Sequence, residues 1–261
     1  MVNLLLAAAL AAATPAAPPP AADPAMFVVR DADTTIYLFG TFHALDGQAE
    51  WFHQDVRNAF EQSNELVLET LIPEGPNQAS VAAPLIAPPV TPSASFLATT
   101  RMAINAGRSR GMQVANGADM VLRHMAEAEG KPVEGLEPLE YQLAMFNRLP
   151  APATAPAPKA GEPVGGSPMD SLSRAMTEMQ AAWKRGDQSV FVRMLDQLHQ
   201  ASPDTYRMMF TERNAHWADW IAMRMQSPGT VFVAVGAGHL AGKDSLLVRL
   251  AEKGIQSQRV N

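Results

Sequence analysis

The chain has 261 residues, of which 47% are hydrophobic and 18% are charged, and this composition is typical of a globular protein with a sizeable core. Its formal net charge of -6 argues against a nucleic-acid-binding protein, which needs a basic surface. The absence of cysteine excludes a disulfide framework, a thiolate nucleophile and a cysteine-ligated metal.

The N-terminal residues have the pattern of an export signal. An apolar, alanine-rich run extends to Ala13, and Pro18-Pro19-Pro20 follows. The run has the length of a signal-peptide core and is too short to cross a membrane, although no Lys or Arg precedes it. We expect residues 1–22 to be a signal peptide and linker and the protein to be periplasmic or secreted, without a stable membrane span. A disordered Ala/Pro tail is the alternative.

The next predicted elements are a β-hairpin and a strand–helix–strand unit. Short apolar runs at 25–30 and 35–39 predict two strands joined by a polar turn. Helical spacing over 55–62 predicts a helix, and the apolar run that follows predicts a buried strand ending in Glu69. A strand, a helix and a strand in this order predict a parallel pairing.

The middle of the chain is predicted to be mostly helical and to form the wall that faces a substrate. A short strand at 131–137 would bring Glu137 to a sheet edge. The segment 73–95 predicts a loop or lid, and 150–168, rich in Pro, Ala and Gly, predicts a flexible linker within a single domain, 25–261. The predicted helices cover 95–106, 118–129, 140–148, 171–186, 189–200 and 204–225.

Two distant strands end in the same motif. The strand at 36–39 leads into Gly40-Thr41-Phe42-His43, and a strand at 230–235 leads into Gly236-Ala237-Gly238-His239. A helix at 243–253 and a strand at 255–260 complete a predicted α/β fold with a mixed, largely parallel sheet. The carboxyl ends of parallel strands share one edge, where ligands bind. We therefore predict that both histidines face one crevice.

The two imidazoles predict a metal site if a carboxylate joins them. His43, His239 and Glu69 would supply two nitrogens and one oxygen and leave a position for water. This set suits zinc and equally suits manganese or iron. The ion would lower the pKa of the water and polarise a carbonyl group.

Three further polar residues are candidates for catalytic roles beside Glu69. Glu137 would act as a general base. Arg213 would pair with a ligand carboxylate or stabilise the oxyanion of acyl hydrolysis. Asn214 would orient either the substrate or a ligand histidine.

Each of these residues also has a structural interpretation. A lone histidine after a strand is more often a hydrogen-bonded structural residue than a ligand, and Glu69 would alternatively cap a turn or pair with Arg213. A dinucleotide site is disfavoured, because Gly242 follows Gly238 one residue too late for the phosphate-binding fingerprint. No Gly-x-Ser-x-Gly segment supports a serine nucleophile.

Together these motifs resemble the TraB/GumN family, also written TraB/PrgY/GumN, which is related to the Tiki-type metalloproteases. The resemblance covers about residues 27–260 and implies an α/β fold like that of erythromycin-esterase and ChaN-like proteins, with a helical insertion. It is carried by Leu38-Phe39-Gly40-Thr41-Phe42-His43, Leu66-Val67-Leu68-Glu69, Gly135-Leu136-Glu137 with Gln142, Arg213-Asn214 with Trp217, and Val233-Ala234-Val235-Gly236-Ala237-Gly238-His239-Leu240.

The resemblance also implies a function. In the Tiki branch the two Gly-x-x-His motifs and a glutamate are implicated in metal-dependent peptide cleavage. The TraB/PrgY branch shuts down a peptide pheromone, and the GumN branch is linked to polysaccharide synthesis. We therefore expect an exported hydrolase of peptides that depends on zinc, manganese, cobalt or iron. The alternative is a non-catalytic binding or accessory protein for a peptide or glycan.

Overall fold

The computed structural model of the protein describes residues 22–47, 50–71, 101–150 and 168–261. The predicted signal peptide, the predicted lid and nearly all of the predicted Pro/Ala linker lie outside these residues. The described residues form a six-stranded mixed sheet with helices on both faces, which confirms the predicted fold class. Among them, no helix combines the length and the apolar character that crossing a membrane requires.

The sheet is parallel at its centre and antiparallel at one side. Its strands, in chain order, are β1 Met26–Arg30, β2 Thr34–Thr41, β3 Glu65–Leu68, β4 Val133–Gly135, β5 Gly229–Gly236 and β6 Gln258–Arg259. They lie in the order β4-β3-β5-β2-β1-β6. The first four in this order run parallel, and β1 is antiparallel to both of its neighbours.

The predicted hairpin is β1–β2, but the predicted pairing of the strand–helix–strand unit is wrong in one respect. The strands β2 and β3 are parallel but do not pair with each other, because β5 lies between them. β5 is buried from Val231 onward and apolar on both faces, as a central parallel strand must be. The C-terminal Gly-x-x-His segment therefore emerges between His43 and Glu69.

The helices follow the predicted segments with one interruption. They are α1 Gln54–Gln62, α2 Ala118–Ala128, α3 Leu139–Arg148, α4 Pro168–Lys184, α5 Ser189–Ala201, α6 Pro203–Tyr206, α7 Glu212–Arg224 and α8 Leu246–Glu252. Residues 101–108 are also helical. A π-helix at Arg207–Thr211 separates α6 from α7 inside the long helix predicted at 204–225. The strands predicted at 131–137 and 255–260 are shorter in the structure, where they are β4 and β6.

The sheet separates two apolar layers. Side chains alternate along its strands, so that Phe39 and Phe232 face one layer, whereas Leu38 and Val233 face the other. The first layer is completed by α1, α2, α4 and α5, and the second by α7 and α8. With both faces covered, the carboxyl edge of the parallel strands is where polar side chains collect.

Candidate functional site

The carboxyl edge of the sheet places the two Gly-x-x-His segments side by side. Thr41 pairs with Gly236 where β2 and β5 end. Gly40 packs directly on the second segment, since a Cβ added there would lie 3.2 Å from the Cα of Ala237. A larger residue in place of Gly40 would therefore push the two segments apart.

Gly236 borders a space that three predicted ligands share. A Cβ added at Gly236 would lie 3.3 Å from Nε2 of His43, 3.1 Å from Oε1 of Glu69 and 3.7 Å from Cδ2 of His239. The structure thus brings both histidines and the carboxylate to one point at the end of β5. The absence of a side chain at Gly236 leaves this space free.

His239 is buried and neutral. Only 5% of the residue is exposed, and the rings of Phe210 and Trp217 flank its imidazole at centroid distances of 4.8 and 4.5 Å. Its Nδ1 lies 2.7 Å from Oδ1 of Asn214, an acceptor, so Nδ1 donates and Nε2 carries the lone pair. Desolvation lowers the pKa of His239 to about 3.

His43 lies in a different environment, at the mouth of the site. Its side chain is 62% exposed, and its Nδ1 lies 3.1 Å from Oδ1 of Asp119 in the first turn of α2. Partial desolvation lowers the pKa of His43, but the Asp119 carboxylate, assisted by Glu69, outweighs it and raises this pKa to about 9. Asp119 was not among the predicted site residues.

The start of α2 is docked on the backbone that carries His43. The backbone N–H of Ala118 donates to the carbonyl oxygen of Phe42 at 3.0 Å. Gly117 packs so closely that a Cβ there would clash with the carbonyl group of His43. A glycine at this helix boundary thus lets Asp119 reach the imidazole.

Arg213 is the central cation in the buried part of the site. It is 4% exposed, and its Nε and Nη2 donate to Oε1 of Glu137 at 2.9 and 2.6 Å. Nη2 also donates to Oε2 of Glu69 at 2.7 Å, and Nη1 lies 3.3 Å from Nε2 of His239. The guanidinium stacks on Trp217 at 4.5 Å. This fork-like pairing is one that arginine makes and lysine does not.

Glu69 is held in the ionised form that pairs with Arg213, and Glu137 binds the same guanidinium. Burial raises the pKa of Glu69, but Arg213 and the two histidines outweigh it and hold this pKa well below its usual range. The other Glu69 oxygen accepts from the backbone N–H of Gly236 at 2.6 Å. Both Glu137 oxygens face Arg213, which is the geometry of an anchor. The general-base role of Glu137 stays a prediction.

Asn214 links His239 to the next loop. While its Oδ1 accepts from His239, its Nδ2 donates to the carbonyl oxygen of Asp244 at 2.7 Å. Asn214 is itself buried, so its amide has a fixed orientation. This geometry is that of a residue that orients a histidine, one of the two roles predicted for Asn214.

The π-helix shapes the wall beside His239. Its residue Phe210 packs on the His239 ring and against Gly238, where a Cβ would lie 3.2 Å from Cε1 of Phe210. Single π turns inside helices often occur at functional sites. A regular helical period over 204–225 did not indicate this turn.

The donor atoms are of the kinds that bind a divalent cation, but in the structure a proton on His43 and a hydrogen bond to His239 stand in the way. An oxygen holds Nδ1 of each histidine, so the ligands of the preferred kind are a Glu69 oxygen, Nε2 of His239 and, once the imidazolium has lost its Nε2 proton, Nε2 of His43. Within the described residues, however, no group of three or more His, Asp or Glu side chains is arranged to hold an ion as it stands. The single lone pair of His239 Nε2 faces Arg213, so Nη1 of Arg213 would have to withdraw.

Comparison with known proteins identifies one family. A model of the TraB/PrgY/gumN family matches residues 25–88 and 89–259, which include both Gly-x-x-His segments, Glu69, Glu137 and Arg213. No curated protein and no solved structure matches the chain. The likeness to erythromycin-esterase and ChaN-like proteins therefore stays a prediction.

Proposed function

The chain belongs to the TraB/PrgY/gumN family, and on that premise we propose that it is a metal-dependent hydrolase of peptides. The observation that supports the proposal is the meeting of His43, His239 and Glu69 around Gly236. With Nδ1 of each imidazole bound to an oxygen, an ion would take Nε2 of His239 and would displace a proton from Nε2 of His43. Two nitrogens and one carboxylate leave a coordination position for water.

The ion would be zinc, manganese, cobalt or iron, held by His43, His239 and Glu69. When bound, it supplies Lewis acidity and lowers the pKa of a bound water. Asn214 keeps the proton of His239 at Nδ1. Arg213, fixed by Glu137, keeps a positive charge at the site, which favours the oxyanion of peptide hydrolysis.

We also propose that the protein is exported to the periplasm or secreted. The support is the apolar run that ends at Ala13 and the small residues and prolines after it. N-terminal sequencing of the protein recovered from the culture fluid or periplasm tests this, and an intact N-terminus in the cytoplasm would contradict it.

A second candidate is a non-catalytic protein that binds a peptide or glycan at the same edge. The observation that favours it is that the guanidinium of Arg213 already binds Glu69, Glu137 and His239 within the protein. In this candidate the buried ion network is a structural element, and the exposed His43 contacts the ligand.

Metal content and peptide cleavage together decide between the two candidates. Purified protein should contain stoichiometric metal by elemental analysis, and His43→Ala and His239→Ala should lose both metal and peptidase activity. His216→Ala is the matched control, because His216 is an exposed histidine on α7. A folded parent that binds peptide without metal and without cleavage would favour the binding protein.

A further inference from the structure

Asp119 contacts His43 from outside both Gly-x-x-His segments, through the 3.1 Å bond to Nδ1. We infer that Asp119 is a positioning residue that holds the His43 imidazole with its Nε2 turned toward Glu69 and Gly236. The inference rests on the proposed function, because it gives Asp119 a task in presenting a metal ligand.

His43 needs such a partner because its ring has little packing. His239 is enclosed by Phe210 and Trp217, whereas the His43 side chain is 62% exposed. An exposed side chain exchanges among its rotamers within nanoseconds unless a contact holds it. Among the described residues, the hydrogen bond to Asp119 is the contact that meets this need.

Asp119 is well placed to hold the ring because its own helix is fixed. The backbone bond from Ala118 to Phe42 and the close packing of Gly117 on His43 tie the start of α2 to the end of β2. Further along α2, Leu122 is fully buried in the apolar layer beneath. The backbone segments that carry Asp119 and His43 are therefore joined by direct contacts.

The chemistry of the contact selects one form of the imidazole. A carboxylate only accepts hydrogen bonds, so it binds the form of His43 that carries a proton on Nδ1. Once Nδ1 holds the proton, the neutral ring has its lone pair on Nε2, the atom that borders the space above Gly236. Partners of this kind behind a ligand histidine raise its basicity and fix its orientation.

The test compares Asp119→Leu, which removes the acceptor, with Asp119→Asn, which keeps an acceptor oxygen without the charge. We expect Asp119→Leu to weaken zinc binding, measured by calorimetry, by about 10- to 100-fold. Asp119→Asn should retain more of the affinity. Asp55→Leu removes a first-turn carboxylate from α1 and should leave zinc affinity unchanged.

Unchanged zinc affinity in a folded Asp119→Leu protein would overturn the inference. A parent that binds none of zinc, manganese, cobalt(II) and iron(II) would refute the proposed function, and the protonation of the His43 ring then tests the inference about Asp119. Nitrogen-15 NMR above the pKa of His43 should show a single form protonated at Nδ1 in the parent and a mixture in Asp119→Leu. A mixture already present in the parent would overturn the inference.

Discussion

The two Gly-x-x-His segments end neighbouring parallel strands with the same spacing, yet their histidines differ in exposure, partner and charge. His43 is open to solvent beside the carboxylate of Asp119, and His239 is enclosed beside the amide of Asn214. The motif thus determines where the backbone delivers an imidazole. The surroundings of each ring determine its protonation: the Asp119 carboxylate raises the pKa of His43, whereas burial lowers the pKa of His239.

The largest expected effect is that of Arg213→Met, a substitution in the buried part of the site beside His239. The substitution leaves Glu69 and Glu137 without their cation, and loss of one partner from a buried ion pair costs about 3–5 kcal/mol of unfolding free energy. Urea denaturation measures the loss. Arg224→Met is the matched control, because its pair with Glu65 is more exposed and its removal should cost less. Equal losses in the two variants would contradict the prediction.

A smaller effect is expected when the space between the histidines is filled. In Gly236→Ala the new methyl group would lie 3.1 Å from Oε1 of Glu69, which costs about 1–3 kcal/mol of stability through overpacking. Zinc binding should be lost as well. Gly107→Ala places its methyl group at 3.5 Å or more from its neighbours and should be neutral or stabilising. Retained zinc binding in Gly236→Ala would show that the ligands meet elsewhere.

Exchanging the residue types of the two partners, Asp119 and Asn214, should shift the pKa values of His43 and His239 in opposite directions. Asp119→Asn removes the charge beside His43, so the pKa of His43 should fall well below about 9. Asn214→Asp places a charge 2.7 Å from His239, so the pKa of His239 should rise above about 3. NMR titration of the metal-free protein measures both values. Unchanged pKa values would mean that other groups set the protonation.

A further set of expected effects concerns the pH dependence of stability in the metal-free protein. The unfolded chain takes up a proton at histidine near pH 6.5, whereas folded His239 does so only near its pKa of about 3. Stability should therefore fall as pH drops from about 6.5 toward 3, and His239→Gln should reduce this slope. Urea denaturation across this range measures it.

His43 should act in the opposite direction. Its folded pKa of about 9 lies above the unfolded value, so its contribution is fully present below about pH 6.5 and is lost as pH rises through 9. The effect should be small because the side chain is 62% exposed to screening solvent. His43→Gln should flatten the alkaline part of the curve, and an unchanged curve would contradict the assignment.

Much of the fold follows from local patterns in the sequence. The apolar runs before Gly40 and Gly236 predicted β2 and β5, and the shared carboxyl edge predicted that both histidines would lie there. The position of β5 between β2 and β3 did not follow, because strand order depends on pairing across the whole chain rather than on any one segment.

Of the two residues that bind the histidines at Nδ1, the sequence predicted Asn214 but not Asp119. Asn214 was identified because it adjoins Arg213 in a motif. Asp119 was missed because an acidic residue in the first turn of a helix is normally explained by the helix dipole alone. The clearest signal available was Gly117, a glycine at a helix start, but its close approach to His43 depends on tertiary packing.

The central position of β5 also has a consequence for how the protein is made. A ribosome synthesises His43 and Glu69 long before residues 229–236. Until β5 is made, the edges of β2 and β3 that pair with it therefore lack their backbone hydrogen bonds. Insertion of this late segment closes the sheet and delivers the second imidazole in the same step. A nascent or truncated polypeptide lacking it would therefore carry half a site and two open, aggregation-prone edges at once.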